Sequence, residues 1–390
     1  MFTINSTHRP DPRQRGGFAL VGVVFVLAVL SVGAVLLLNS GSDQVQIGLA
    51  TQDWVRAGRA ADAGIGTLVS EWSSSQFDTL TPSPGDSTDL GWTTIENGAR
   101  YNVMFRRVDA GMIQRFSARV TGDAGPQHSG RVIKYLDLEV APWSIDIDAA
   151  ITGGSERIEQ ENDAVISGID TDPSGWSGYC GGPTADRPGV LWHANDLDIS
   201  DPSLVNGSPV DIEIDTSLNP TNIFEWGDAD YDDLVARADI TFNGSQDIGS
   251  GIRPRLTGSA CNTSHNLNWG APNNPSHACF SYFPIIHFRA DARIRDPGAV
   301  GQGIMLVDDP NSWALELEEN FKFYGIVLVK GEVRIADDVE IHGGIIAGDR
   351  TRVELDSQAQ YSSCAINRAI FGASLFELKP LSSRSVRAVM

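Results

Sequence analysis

Cationic side chains are the first shortage. Lys and Arg number 29 against 50 Asp and Glu, a formal charge of -21, and a surface of that sign repels phosphate backbones and anionic headgroups. Nucleic acid is set aside as a partner on that ground. Cysteine is scarce as well: Cys180, Cys261, Cys279 and Cys364 are the four in 390 residues, too few to stand in for a hydrophobic core. Catalytic motifs are missing too. His193, His265, His277, His287 and His342 are scattered, with no His-x-x-x-His pair, no Gly-x-Ser-x-Gly and no Cys-x-x-Cys. No nucleophile system emerges from them, and the chain reads as a non-enzyme without a cofactor.

What remains is an ordinary globular composition, 41% hydrophobic and 20% charged, in a chain long enough for two or three compact units. The 40 Gly and 19 Pro break it into short elements, which favours a β-rich architecture over a helical bundle. One long apolar run stands out. Residues 1–17 are polar and carry Arg9, Arg13 and Arg15 against Asp11, after which Gly17 to Leu38 runs 22 residues without a charge. That is enough for a helix to cross a bilayer. Asp43 and Asp53 precede the next cation, Arg56, so the Arg bias places the N-terminus in the cytoplasm and a large body outside. A cleaved secretory signal would have a shorter apolar stretch with a small-x-small site behind it.

The run Arg13-Gln14-Arg15-Gly16-Gly17-Phe18-Ala19-Leu20 resembles the class III signal of type IV pilins and pseudopilins. The resemblance implies that a prepilin peptidase cuts after Gly17 on the cytoplasmic side and that Phe18 becomes an N-methylated terminus. It further implies that the apolar helix is kept, first as an inner-membrane anchor and then as the spine of a filament. Shaft subunits of the family carry Glu at the fifth mature position, where it offsets a neighbouring subunit's terminal amine in apolar surroundings. Here that position is Gly22, a departure similar to PilX-type minor pilins and to the tip pseudopilin of type II secretion. The Ala-rich segment Arg59-Ala60-Ala61-Asp62-Ala63-Gly64-Ile65, the stretch from Ser264 to His287, and Gly303-Ile304-Met305-Leu306-Val307 also resemble PilX-type proteins. A plain signal anchor with a chance Gly-Phe junction is the alternative.

Past the bilayer, Ile47, Ala50, Trp54, Gly58, Ala61, Ile65, Leu68 and Trp72 recur at spacings of three and four, drawing an apolar stripe along a helix. Gly58, Gly64 and Gly66 each cost that helix about 1 kcal/mol against Ala, so a packed domain must hold it. Residues 73–98, rich in Ser, Thr, Pro and Gly, read as a linker. Tyr101/Val103/Phe105, Phe116/Ala118/Val120 and Leu136/Leu138/Val140 alternate as strands of an antiparallel sheet that ends near Pro142. Beyond it, Val327/Val329, Val333/Ile335, Val339/Ile341 and Ile345/Ala347 repeat every six residues, the pattern of a β-solenoid face, with a hairpin meander as the alternative. Glu332 and Glu340 take outward positions in this scheme. Ile151, Ile158 and Ile166 form a weaker version, so the two regular stretches are expected to stack around a less regular middle. The fold class is α+β: a long N-terminal transmembrane helix, a small antiparallel sheet, then a β-rich region with β-solenoid-like hexad repeats. Its segments are 1–17 leader, 18–72 transmembrane and amphipathic helix, 73–142 linker and β head, 143–356 β-rich domain, and 357–390 C-terminal segment.

Export lets thiols pair. Cys261 and Cys279 can close one modest loop, leaving Cys180 with Cys364, although spacing does not fix connectivity. The acidic run Trp226 to Leu234 fails the EF-hand test, because counting from Asp228 the Gly position holds Asp233 and the final Glu is Asp239. Asp228 or Asp230 is expected instead to cap a short helix, and metal ligands stay unassigned. Asp170/Asp172, Asp308/Asp309 and Asp337/Asp338 read as solvated turn residues. The resulting expectation is a minor pilin or pseudopilin-like structural subunit that initiates, caps or decorates a type IV pilus-like filament. Its partners are prepilin peptidase, other minor and major pilins or pseudopilins, and the inner membrane; its body lies in the periplasm, or outside the cell once assembled. The rivals are a filament-linked or surface adhesin that binds polysaccharide through a β-solenoid, and a polysaccharide-active enzyme resting only on the acidic pairs.

Overall fold

The structure, a computed structural model, describes residues 16–70, 81, 83–96, 98–110, 114–126, 128–155, 157–161, 163–194, 196–226, 229–311 and 313–387. The leader up to Arg15, Trp72, the turn at Gly111 and Asp228 lie outside the described residues. The chain forms two compact units, Met1–Glu139 with Leu378–Met390, and Val140–Glu377. Residues 357–377 thus fall in the second unit.

Helix α1 spans Gly16–Ser70, 55 residues. From Val23 to Leu49 its large aliphatic side chains are exposed, and the helix is long and apolar enough to cross a membrane. The head sheet is β1 (Ser87–Thr94), β2 (Arg100–Ala110), β3 (Gln114–Asp123) and β4 (Arg131–Pro142), with β1–β2 and β2–β3 antiparallel, and the second half of α1 packs on β2, β3 and β4. Strand alternation follows the apolar period: Tyr101, Val103, Phe105, Phe116, Ala118, Val120, Leu136, Leu138 and Val140 are all buried. β1 falls inside the stretch that composition marks as linker, because a register shift between Asp89 and Trp92 breaks its alternation.

The buried line on α1 is Ala57, Ala60, Ala61, Gly64 and Leu68, while Ile47 and Ala50 are exposed. The apolar stripe therefore shifts toward small residues, and the reason is close approach. A Cβ on Gly122 would lie 1.9 Å from the Ala57 carbonyl oxygen, and one on Gly64 would lie 2.8 Å from Cδ2 of Tyr101. Ala and Gly let strand backbone touch helix backbone. Asp53 accepts from the Ser129 amide at 3.3 Å and pairs with His128 at 2.7 Å, and Lys134 pairs with Asp62.

The second unit is built from β5 (Ile151–Gly153), β6 (Ile158–Gln160), β7 (Val165–Ser167), β8 (Val190–Trp192), β9 (Leu197–Ile199), β10 (Val205–Asn206) and β11 (Ile212–Ile214). Next come β12 (Glu225–Trp226), β13 (Ala229–Asp230), β14 (Ile240–Phe242), β15 (Gln246–Ile248), β16 (Leu256–Thr257) and β17 (Ala260–Cys261). The series continues with β18 (Ile285–Phe288), β19 (Ala292–Ile294), β20 (Val300–Val307), β21 (Leu315–Leu317), β22 (Lys322–Val329) and β23 (Val333–Ile335). It closes with β24 (Glu340–Ala347), β25 (Thr351–Val353), β26 (Gln358–Tyr361) and a helix, Ser363–Gly372. One ladder runs β10-β7-β26-β24-β22-β20-β18-β14, with β5 beside β24 and β8, and a second runs β15-β19-β21-β23-β25-β6-β9. β27 (Phe376–Arg387) returns to lie beside β4.

The register revises the hexad. Val327 lies beside Ile345 and Val333 beside Thr351, in parallel, so partners are eighteen residues apart rather than six. Three hexads make one turn of chain, and each stacks on the third hexad after it. Gly303, Gly325 and Gly343 are in register at φ 122°, 141° and 143°. A Cβ on Gly343 would lie 1.8 Å from the Gly325 oxygen, so glycine alone allows the strand to bend there. Paired left-handed residues at Asp337–Asp338 and Leu355–Asp356 keep the same eighteen, which is why acids occupy that turn. Ile345 pairs with Ile151, Val353 with Gln160, and Ala359 with Ile166. The early and late regular stretches thus adjoin directly, with strands from the middle of the chain carried to both ends of each ladder.

Candidate functional sites

The expected processing residues Gly17 and Phe18 belong to α1 by backbone, and their side chains lie outside the described residues. At Gly22 nothing approaches within 4 Å of where a Cβ would stand. A side chain at this position would meet nothing else of the same chain.

The four cysteines form two bridges, Cys261–Cys279 with Cα atoms 4.9 Å apart and Cys180–Cys364 at 5.5 Å. Asp172 lies beside the second bridge, but bonded sulfurs offer no thiolate to a metal. The same bridge brings Tyr179 and the Ser363 helix together, and the Arg368 guanidinium sits 4.4 Å from the Phe280 ring, 4.9 Å from Trp176, 5.1 Å from Phe283 and 5.3 Å from Tyr179. Such a box stabilises a cation electrostatically and by contact, even as burial lowers the Arg368 pKa.

Several acids expected in solvated turns are structural instead. Asp170 is buried and accepts from the amide and hydroxyl of Ser363 and from those of Thr184, tying a loop to the start of the helix Ser363–Gly372. Asp308 binds Nε2 of buried His287 at 2.7 Å and Lys330 at 3.1 Å. Burial pushes the Asp308 carboxyl up, but these hydrogen bonds outweigh it and hold the pKa below its ordinary value. Lys330 also lies 4.2 Å over the Tyr231 ring, and burial, with Asp308 nearby, raises the Tyr231 phenol. Tyr231 opens the short helix Tyr231–Val235, which Asp230 caps through a reciprocal bond pair with Asp233. The group therefore latches the segment between β11 and β14 onto the strand ends at Asp308 and Lys330. His287 itself is only 2% exposed.

A second charged group runs along the β15-to-β9 ladder. Arg293, Glu316, Arg334, Arg352, Glu159 and Asp198 occupy one register position on successive strands. Arg334 reaches Glu318 and Glu354 at 3.1 Å each, and Arg352 reaches Glu159 at 2.8 Å. Glu332 is drawn into this network: it is 4% exposed, lies 3.4 Å from Arg352, and its pKa is raised by burial despite Arg350 and Arg352. Its outward assignment is thereby corrected. Glu340 is half-buried, and hydrogen bonds from His342 and Lys322 lower it to about 2. Sequence reading missed both networks because their members are single residues on strands that meet only after the chain has coiled.

No family model matches the chain, and no curated protein matches it. Among solved structures, the competence-associated pilin ComZ from Thermus thermophilus aligns over 87% of this chain and 98% of that one, at 11% identity and a TM-score of 0.25. A score of that size carries no argument about fold or role.

Proposed function

We propose that the chain is a minor pilin or pseudopilin-like subunit, anchored in the inner membrane by α1, that initiates, caps or decorates a type IV pilus-like filament. The observation that carries this reading is the division of labour along one 55-residue helix. Its first half is bare and aliphatic, and its second half is roofed by a sheet through Ala57, Ala60, Ala61 and Gly64. A helix that is apolar all round is stable only in lipid or packed against other helices, which are the two states a pilin-like spine alternates between. The body is read as a β-solenoid whose turns between β18 and β26 take eighteen to twenty-three residues, and the role as mechanical. Removal of residues 1–17 by prepilin peptidase would leave Phe18 as the terminus. Gly22 gives the subunit no carboxylate with which to neutralise a predecessor's amine, so it suits the first or terminal position.

Mass spectrometry of the native N-terminus tests the reading and should find methylated Phe18. Intact Met1 in peptidase-positive cells would sink it. Immunogold labelling should mark filament ends sparsely, and even labelling along the shaft would refute the terminal position.

A further inference from the structure

The face of the head sheet turned away from α1 holds an open cavity of about 390 Å³ lined by Gly85, Met104, Arg106, Val108, Arg119 and Tyr135, among others. Arg106 and Arg119 differ from the other arginines of this face. Arg100 and Arg131 pair with Asp123, and Arg115 pairs with Glu139. Arg106 and Arg119 have no carboxylate within ion-pair distance among the described residues, and Asp89 feels Arg119 only as a more distant charge. They are also diagonal neighbours, since Met104 lies opposite Arg119 and Ser117 opposite Arg106. Diagonal neighbours on a sheet lie about 7 Å apart, and two like charges brought to such a spacing repel. In the same cavity Val108 is 57% exposed and Tyr135 42% exposed, an apolar floor that stays in water.

The charge of the chain sharpens the contrast. Residues 140–377 hold fourteen Lys and Arg against thirty-seven Asp and Glu, whereas residues 1–139 with 378–390 hold fifteen against thirteen. The acid excess lies wholly in one unit, and the unpaired arginines lie in the other.

We propose that this cavity docks an acidic, extended segment of a partner protein, with carboxylates at alternate positions meeting Arg106 and Arg119. The spacing carries the choice: side chains at i and i+2 of a strand project on one face about 6.6 Å apart, close to the diagonal of the two arginines. The floor of Met104, Val108 and Tyr135 takes the apolar stems of those side chains, for which a bare phosphate chain has no use.

The test uses the full-length chain in detergent micelles and a fluorescent peptide of alternating Glu and Thr, with the Gln/Thr peptide as control. The acidic peptide should bind at least tenfold more tightly than its control and weaken between 50 and 300 mM salt. Arg106→Ala with Arg119→Ala should reduce binding at least tenfold while leaving the melting temperature unchanged, and Arg115→Ala should leave binding unaltered. Equal binding by the double variant, or equal affinity for the Gln peptide, would overturn the proposal. So would tighter binding of heparin or of phosphatidylglycerol vesicles than of the acidic peptide, because either would assign the arginines to a polyanion or a lipid surface.

Discussion

Replacing Gly122 by Ala tests how the head grips the helix. The new Cβ would sit 1.9 Å from the Ala57 oxygen and 2.7 Å from the Ala61 nitrogen, where ordinary contacts need more than 3 Å. Both obstacles are backbone, so no rotamer relieves them, and β3 or the helix must move by more than 1 Å. Overpacking of this kind costs about 1–3 kcal/mol, and the buried Ala57, Ala60 and Ala61 would lose contact as the elements part. Gly66→Ala is the control, because nothing lies within 4 Å of its Cβ position. It should stabilise the helix by up to about 1 kcal/mol. Hydrogen exchange read by mass spectrometry on the full chain in micelles separates the two. Amides of residues 53–68 and 114–123 should exchange about 5- to 150-fold faster in Gly122→Ala and somewhat slower in Gly66→Ala, with residues 300–361 unchanged in both. Unaltered protection in Gly122→Ala, or shifts of the same sign in both variants, would refute the close approach.

Ile335 is fully buried between Leu317 and Val353, so Ile335→Asp should destabilise the second unit by about 4 kcal/mol in denaturant unfolding, whereas Glu340→Lys, which sets a cation beside Lys322 at a partly exposed site that water screens, should cost less. Glu332→Lys places a third cation beside Arg350 and Arg352 and should cost about 3–5 kcal/mol, as breaking a buried pair does; a neutral effect would contradict its burial. Glu340 has its pKa lowered from 4.5 to about 2, so its contribution is complete above pH 4.5 and is lost as pH falls toward 2. The melting-temperature gap between the parent chain and Glu340→Gln should close over that window, and a gap independent of pH would disprove the pairing with His342 and Lys322. Non-reducing peptide mapping should recover Cys261 with Cys279 and Cys180 with Cys364, and four free thiols would defeat both bridges.

The sequence by itself determined what depends on neighbours along the chain. A charge-free run fixes a helix that no other element needs to explain, and alternation at Tyr101, Val103 and Phe105 fixes the buried face of a strand, because both periods are properties of local backbone geometry. The six-residue period of Val327 to Ala347 was equally legible, and with it the presence of short buried strands. What six residues meant was not. Whether a hexad stacks on the next one or on the third is set by how sharply the chain bends, and that depends on Gly325 and Gly343 meeting across turns at positive φ. Pairwise electrostatics were likewise out of reach: Asp170 waits for Ser363, Asp308 for His287 and Lys330, and Glu332 for Arg352. The Asp337–Asp338 turn, exposed and left-handed, matched its composition. Tertiary structure alone decided which carboxylates find a cation, and it left Arg106 and Arg119 on the head sheet without an ion-pair partner among the described residues. Charge pairing needs only proximity in space, and sequence distance does not encode it.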